Sequence, residues 1–129
     1  MTIADILAQN VSQRVSEPPV DDAEIERAET TYAIRFPASY LEFLAQGGLG
    51  DLRFTNRVIR PHEIQNLSDT FLPIGLTPFA ANGTGDFFCW ESRQLPDENV
   101  VFWDHETAGR HARRSAPATF LACLTAWRF

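Results

Sequence analysis

The sequence predicts an α+β fold: a mainly antiparallel sheet of about five strands, packed with N-terminal helices and a C-terminal helix. Helical spacing of apolar residues is confined to residues 2–44 and 117–127, while short apolar runs broken by turn residues fill the stretch between. Helices and strands are therefore segregated and not strictly alternating, which is an α+β pattern. The connections are also short: the roughly nine residues between Leu76 and Asp86 cannot hold a parallel crossover helix. At 129 residues the chain has the commonest size of one domain, so a single domain over residues 1–129 is expected.

The first helix is expected over Thr2–Val15, with Ile3, Ile6, Leu7, Val11 and Val15 near helical spacing and Thr2 as its N-cap. Ser16-Glu17-Pro18-Pro19 ends it. A second helix opens at Asp21, whose carboxylate takes the free amide three residues on while Glu24 reaches back in a capping box. Ile25, Ala28 and Tyr32 form its inward stripe. Asp21, Asp22, Glu24, Glu26 and Glu29 outnumber the single Arg27 and complement the positive end of the helix dipole. Arg35-Phe36 is extended, because the residue before Pro37 is driven from the helical region, and Pro37 suits the first position of a short third helix. Tyr40, Leu41, Phe43 and Leu44 give that helix an apolar face, and Gly47-Gly48 supplies its C-terminal cap.

Strands are expected at Leu52–Phe54, Val58-Ile59, Phe71–Leu76, Asp86–Glu91 and Val100–Trp103, with a brief helix from Pro61 over residues 61–68. Asn82-Gly83-Thr84-Gly85 and Leu95-Pro96-Asp97-Glu98-Asn99 read as turns. Phe120, Leu121, Leu124 and Trp127 form one stripe of a closing helix from Pro117. In Phe87-Phe88-Cys89-Trp90 and Val100-Val101-Phe102-Trp103 both alternating faces are apolar, unlike a half-buried antiparallel strand. Either helices cover both sheet faces, or one face with Trp90 or Trp103 stays partly exposed as an anchor for a partner.

Composition narrows the function. Eleven basic and 17 acidic residues give a net charge of −6, which argues against non-specific binding to nucleic acid. All 11 basic residues are Arg, so lysine chemistry of the Schiff-base or P-loop kind is excluded. No apolar run approaches a bilayer span, and residues 1–15 lack the basic start and continuous apolar stretch of a signal peptide, so a cytoplasmic location is expected. Cys89 and Cys123 sit inside apolar patterns and read as buried reduced thiols.

Catalytic motifs are weak. His105-Glu106 and His111 do not have zincin spacing, since the histidines lie six apart with Gly109 between. Asp86, Asp104 and Glu106 offer carboxylates for hydrolysis, yet Asp86 at a strand entrance and the others in a turn are better read as backbone partners and solvated groups. Ser39 and Ser115 lack a Gly-x-Ser-x-Gly elbow. Asn82-Gly83-Thr84-Gly85-Asp86 leads into a strand and not the helix a phosphate-binding loop requires. No enzyme activity, cofactor or metal is expected.

Three blocks in order carry a resemblance. Glu24-Ile25-Glu26-Arg27-Ala28-Glu29, then Phe36-Pro37-Ala38-Ser39-Tyr40-Leu41-Glu42-Phe43-Leu44 and Gly47-Gly48, form the first. Phe71-Leu72-Pro73-Ile74-Gly75 with Gly85-Asp86-Phe87-Phe88-Cys89-Trp90 forms the second. The third is Val100-Val101-Phe102-Trp103-Asp104-His105-Glu106 with Ser115-Ala116-Pro117-Ala118-Thr119-Phe120-Leu121-Ala122-Cys123-Leu124. Together they resemble the SUKH superfamily over about residues 18–126, with Gln46 and Ala118 departing from its pattern and residues 1–17 left as an N-terminal helical extension. The resemblance implies a non-catalytic protein-binding domain. Bacterial members are largely immunity proteins that neutralise polymorphic toxins, often nucleases; a regulatory or scaffolding module with an endogenous partner is the other role it implies. The expected partner is thus a protein toxin domain such as a basic nuclease, with no direct nucleic acid or membrane contact, bound by a monomer or weak dimer. Charge and expected exposure nominate Glu63, Glu91, Asp97, Glu98, Asp104 and Glu106, around the sheet edge and its loops, as contacts.

Overall fold

A computed structural model of the chain describes residues 2–8, 15–16, 18–51, 56–64, 75–83, 85–104, 113–115 and 119–126. Helix α1 covers Ile3–Ala8, α2 Asp22–Tyr32 and α3 Ala38–Ala45; a helical turn, α4, occupies residues 61–64, and α5 covers Phe120–Ala126. The strands are β1 (Val15–Ser16), β2 (Gly50–Asp51), β3 (Arg57–Val58), β4 (Leu76–Ala81), β5 (Phe87–Glu91), β6 (Val100–Trp103) and β7 (Arg113–Ser115). Strands β3 to β7 form a five-stranded sheet in sequence order with every neighbouring pair antiparallel, while β1 and β2 form a separate antiparallel ribbon. The fold is α+β, with helices before and after the sheet.

Local chemistry explains the helices. In α1, Thr2 Oγ1 accepts from the Asp5 amide at 3.1 Å and Asp5 Oδ2 accepts from the Thr2 amide at 3.0 Å, a reciprocal cap. Asp21 caps α2 through Oδ1 on the Glu24 amide at 2.8 Å, but the Glu24 side chain does not complete the expected box; it reaches across to Arg60. Both α2 and α3 end in the paired 6→1 and 5→2 hydrogen bonds of a Schellman motif. Gly47 holds the left-handed position after α3 at φ 69°, whereas Ala33 holds it after α2 at φ 54°. Gly48 is required for another reason: a Cβ there would lie 2.6 Å from the Phe43 carbonyl oxygen.

Several boundaries differ from the sequence expectation. Val15 lies in β1, paired with Asp51, and not at the end of α1, because a β-branched residue before Pro18-Pro19 suits an extended chain as well as a helical stripe. Pro37 is the N-cap of α3 and not its first residue. Leu76 opens a strand that runs on to Ala81 through Pro78, a residue that speaks against a central strand; a register shift between Pro78 and Ala80 accommodates it as a bulge. Strand β7 has no counterpart in the sequence reading. The expected strands at residues 52–54 and 71–74, the end of the helix at 65–68, and Trp127 lie outside the described residues.

The strand register sets the two sheet faces. Trp90 and Val100 are partners, as are Phe88 and Phe102, so they share a face; Phe87 with Trp103 and Cys89 with Val101 share the other. On the first face Trp90 packs against Tyr40 of α3 at 5.2 Å between ring centroids, Phe79 of β4 at 4.6 Å and Phe120 of α5 at 6.3 Å. Tyr40 and Phe43 each meet Phe120 edge-on, which locks α3 to α5. The buried face of α1, Ile3, Ile6 and Leu7, completes this layer against α3 and α5. On the second face Phe87, Cys89 and Trp103 are also buried. Trp90 is fully buried and Trp103 only 8% exposed, so neither tryptophan is an exposed anchor; both faces contribute buried apolar residues, while Phe88, Val101 and Phe102 are half-buried.

Candidate interaction surface

The carboxylates nominated from the sequence fall into separate places. Glu91, Asp97 and Glu98 stand at the end of the sheet formed by the β5–β6 connection, where the Glu91 amide donates to the Asn99 carbonyl. Asp104 follows β6 at the opposite end, beyond the Phe87–Trp103 pair. Glu63 sits on α4 and pairs with Arg57 of β3 at 2.9 Å. Glu106 lies outside the described residues. Asp97 is exposed, and Glu91, Asp104 and Glu63 are half-buried.

Glu98 is built into the fold. Its Oε1 accepts from the Trp90 indole at 3.1 Å and from the Phe120 amide at 2.7 Å, while the Ser39 hydroxyl approaches Oε2 at 3.5 Å. One carboxylate therefore ties β5 to the starts of α3 and α5. The Phe120 amide is one of the amides that a helix start leaves without an intrahelical acceptor, and Thr119 Oγ1 satisfies another by accepting from Ala122. Turn composition around Pro96 marks a loop but carries no sign that the residue after Asp97 folds back onto a tryptophan.

The acidic face of α2 divides in the same way. Glu24 receives a bidentate pair from Arg60, at 2.8 and 3.0 Å, and a bond from the His62 amide at 3.1 Å. Arg60 also donates to the Pro18 carbonyl at 3.3 Å. The Arg60 hydrogen bond holds the Glu24 carboxyl below its ordinary value, against the opposing effect of burial, with the His62 amide adding to the lowering. Glu29 accepts from the Phe36 amide at 2.8 Å. Asp21, Asp22 and Glu26 face outward. Beside them runs a groove of about 590 Å³ between α2 and α4, lined by Ala23, Glu24, Glu26, Arg27, Ala28, Thr30, Thr31, Pro61 and His62. The sequence offers no local signal for this groove, because its two walls are distant in the chain.

The remaining polar groups act locally. Asp86 closes the β4–β5 hairpin: its Oδ2 accepts from Asn82 Nδ2 at 3.0 Å, and its amide donates to Asn82 Oδ1 at 3.3 Å. Ser39 points to Glu98. Cys89 and Cys123 are buried and not joined in a disulfide, and burial pushes the Cys123 thiol up to about 12, far from thiolate chemistry. No group of three or more His, Cys, Asp or Glu side chains suited to a metal occurs among the described residues. His105 and His111 lie outside them. No helix among the described residues is long and apolar enough to cross a membrane.

Many polar groups of the described fold thus serve caps, turns and interhelical ties, and the outward-facing carboxylates include Asp22 and Glu26 on α2 and Asp97 in the β5–β6 turn. No curated protein matches the chain. A family model, that of the SMI1 / KNR4 family (SUKH-1), matches residues 19–122, from the approach to α2 into α5. The chain belongs to the SMI1 / KNR4 family, SUKH-1.

Proposed function

We propose that this chain is a non-catalytic, cytoplasmic protein-binding domain, and specifically a bacterial immunity protein that neutralises a polymorphic toxin domain by stoichiometric binding. Family membership over residues 19–122 is the observation that carries this reading. The described carboxylates support it: Glu24, Glu29, Glu98 and Asp86 are occupied by intramolecular hydrogen bonds, and none stands in a paired acid–base arrangement. The mechanism is occlusion, in which a rigid acidic surface covers the toxin's catalytic cleft, burying on the order of 1,600 Å² in total. Glu91 and Asp97 at the β5–β6 turn, with Asp104 and the Arg57-paired Glu63, are the contacts proposed from the sequence; Glu98 contributes by shaping that turn.

A net charge of −6 speeds encounter with a basic nuclease domain, so the association rate falls steeply as salt rises. The deciding experiment is co-expression with a toxin-like domain encoded beside the gene, where one is found, scoring growth rescue and co-purification. Rescue with a stable complex supports immunity; soluble expression with neither result rejects it. An on-rate that stays flat from low to high salt removes the steering mechanism.

A further inference from the structure

Helix α5 is 7 residues long, too short to hold its shape alone, so its start depends on acceptors supplied by the rest of the fold. Thr119 Oγ1 serves the Ala122 amide, and Glu98 Oε1 serves the Phe120 amide at 2.7 Å. The same Oε1 accepts the Trp90 indole N–H at 3.1 Å, and the Ser39 hydroxyl at the start of α3 lies 3.5 Å from Oε2. Trp90 and Phe120 are fully buried. One displacement of the Glu98 carboxylate therefore takes the acceptor from two donors of the ring layer at once, so the two bonds break together.

The connection that carries Glu98 is closed on itself. Ser92–Gln94 form a 3₁₀ turn, the Leu95 amide donates to the Ser92 carbonyl at 3.3 Å, and the Asp97 amide donates to the Gln94 carbonyl at 2.8 Å. Its first end is fixed to the β4 side by the Ser92 amide on the Gly75 carbonyl at 2.8 Å and by the Thr77 and Ser92 hydroxyls, 2.7 Å apart. At its second end Glu98 makes the hydrogen bonds that join the turn to α3 and α5.

We propose that Glu98 is a latch: through its carboxylate the β5–β6 turn and the start of α5 open and close as one unit, while α2, fastened by Glu24 to Arg60, opens independently. The latch gives the turn an effect beyond its own surface. On the reading above, on which this consequence rests, Glu91 and Asp97 contact the partner; a partner that holds the turn closed then also stabilises the start of α5, because coupling between two places is reciprocal.

Amide hydrogen exchange of the free chain in low urea tests the latch with no partner present. The amides of Leu95, Asp97, Phe120 and Cys123 are expected to exchange through one opening, with matching protection and matching urea dependence; mismatched values overturn the latch, whether or not any variant folds. Glu98→Gln is expected to lower protection at all four about tenfold and to leave the amides of α2 within about twofold. Loss at the turn alone, at α5 alone or equally over the whole chain overturns the latch. With a toxin domain bound, protection is expected to rise at residues 120–124 together with 91–99 in the natural chain, and at 91–99 alone in Glu98→Gln. A rise at 91–99 with none at 120–124 in the natural chain overturns the coupling and leaves the immunity reading standing. Absence of any complex removes the immunity reading, and the free-chain exchange still decides the latch.

Discussion

The ring cluster beneath the sheet and the outer helix α2 are held to the molecule by different physics. Tyr40, Phe43, Phe79, Trp90 and Phe120 are all fully buried and interlock edge-to-face, so that layer is secured by area and shape. Helix α2 buries Ala28 fully and only part of Ile25 and Tyr32, and it is secured by the polar ties of Glu24 to Arg60 and Glu29 to Phe36. Glutamates act as fasteners in both regions. Glu98 fastens neutral donors inside the ring layer, whereas Glu24 meets a guanidinium at its rim. A helix so lightly buried keeps much of its outer face in solvent.

The largest expected effect is on the ring layer. Phe79→Ala removes a fully buried ring that meets Trp90, Phe88 and Phe120, and is expected to cost about 4 kcal/mol in urea unfolding. A loss below about 1 kcal/mol would break the contrast, because it would mean the cluster collapses freely around a cavity. Next, Glu98→Ala leaves the Trp90 indole and the Phe120 amide without their acceptor and is expected to cost about 2 to 3 kcal/mol, with Glu98→Gln recovering part because its amide oxygen still accepts.

Breaking the α2 fastener comes third. Glu24→Gln removes the charge that Arg60 grips and is expected to cost about 2 kcal/mol at neutral pH. The pH dependence has a definite sign. Glu24 titrates lower in the folded chain than its ordinary 4.5, so its stabilisation is complete above that value and disappears as pH falls through the folded-state value. Urea midpoints measured from pH 6 downward should therefore fall more steeply for the natural chain than for Glu24→Gln; parallel curves would exclude the ion pair as the fastener. The smallest effect is a gain: Ala33→Gly relieves a left-handed residue at φ 54° and is expected to stabilise by about 1 kcal/mol, read as a rise in melting temperature.

Much of the fold was legible locally. The Asp21 cap, the Gly47-Gly48 ending of α3, strands β5 and β6 and the Asn82–Asp86 turn depend on side chains acting within a few residues of themselves. Pro78 concealed β4, since a bulge forms only when β5 is present to pair around it. The candidate surface was less legible. Exposure cannot be read from charge alone: Glu98 and Glu24 have the same composition signal as Asp97 and Glu26, yet the first two are fasteners and the last two face outward.

By itself the sequence determined the α+β class, the caps and turns, the acidity and the absence of lysine, because these follow from residue type and short-range spacing. The tertiary structure decided which carboxylates remain at the surface and where they gather. Arg60 reaches Glu24 and Phe120 reaches Glu98 only after the chain has folded back on itself, and each such contact converts a free charge into an internal acceptor. The acidic stripe that remains on α2 is what those long-range bonds leave over.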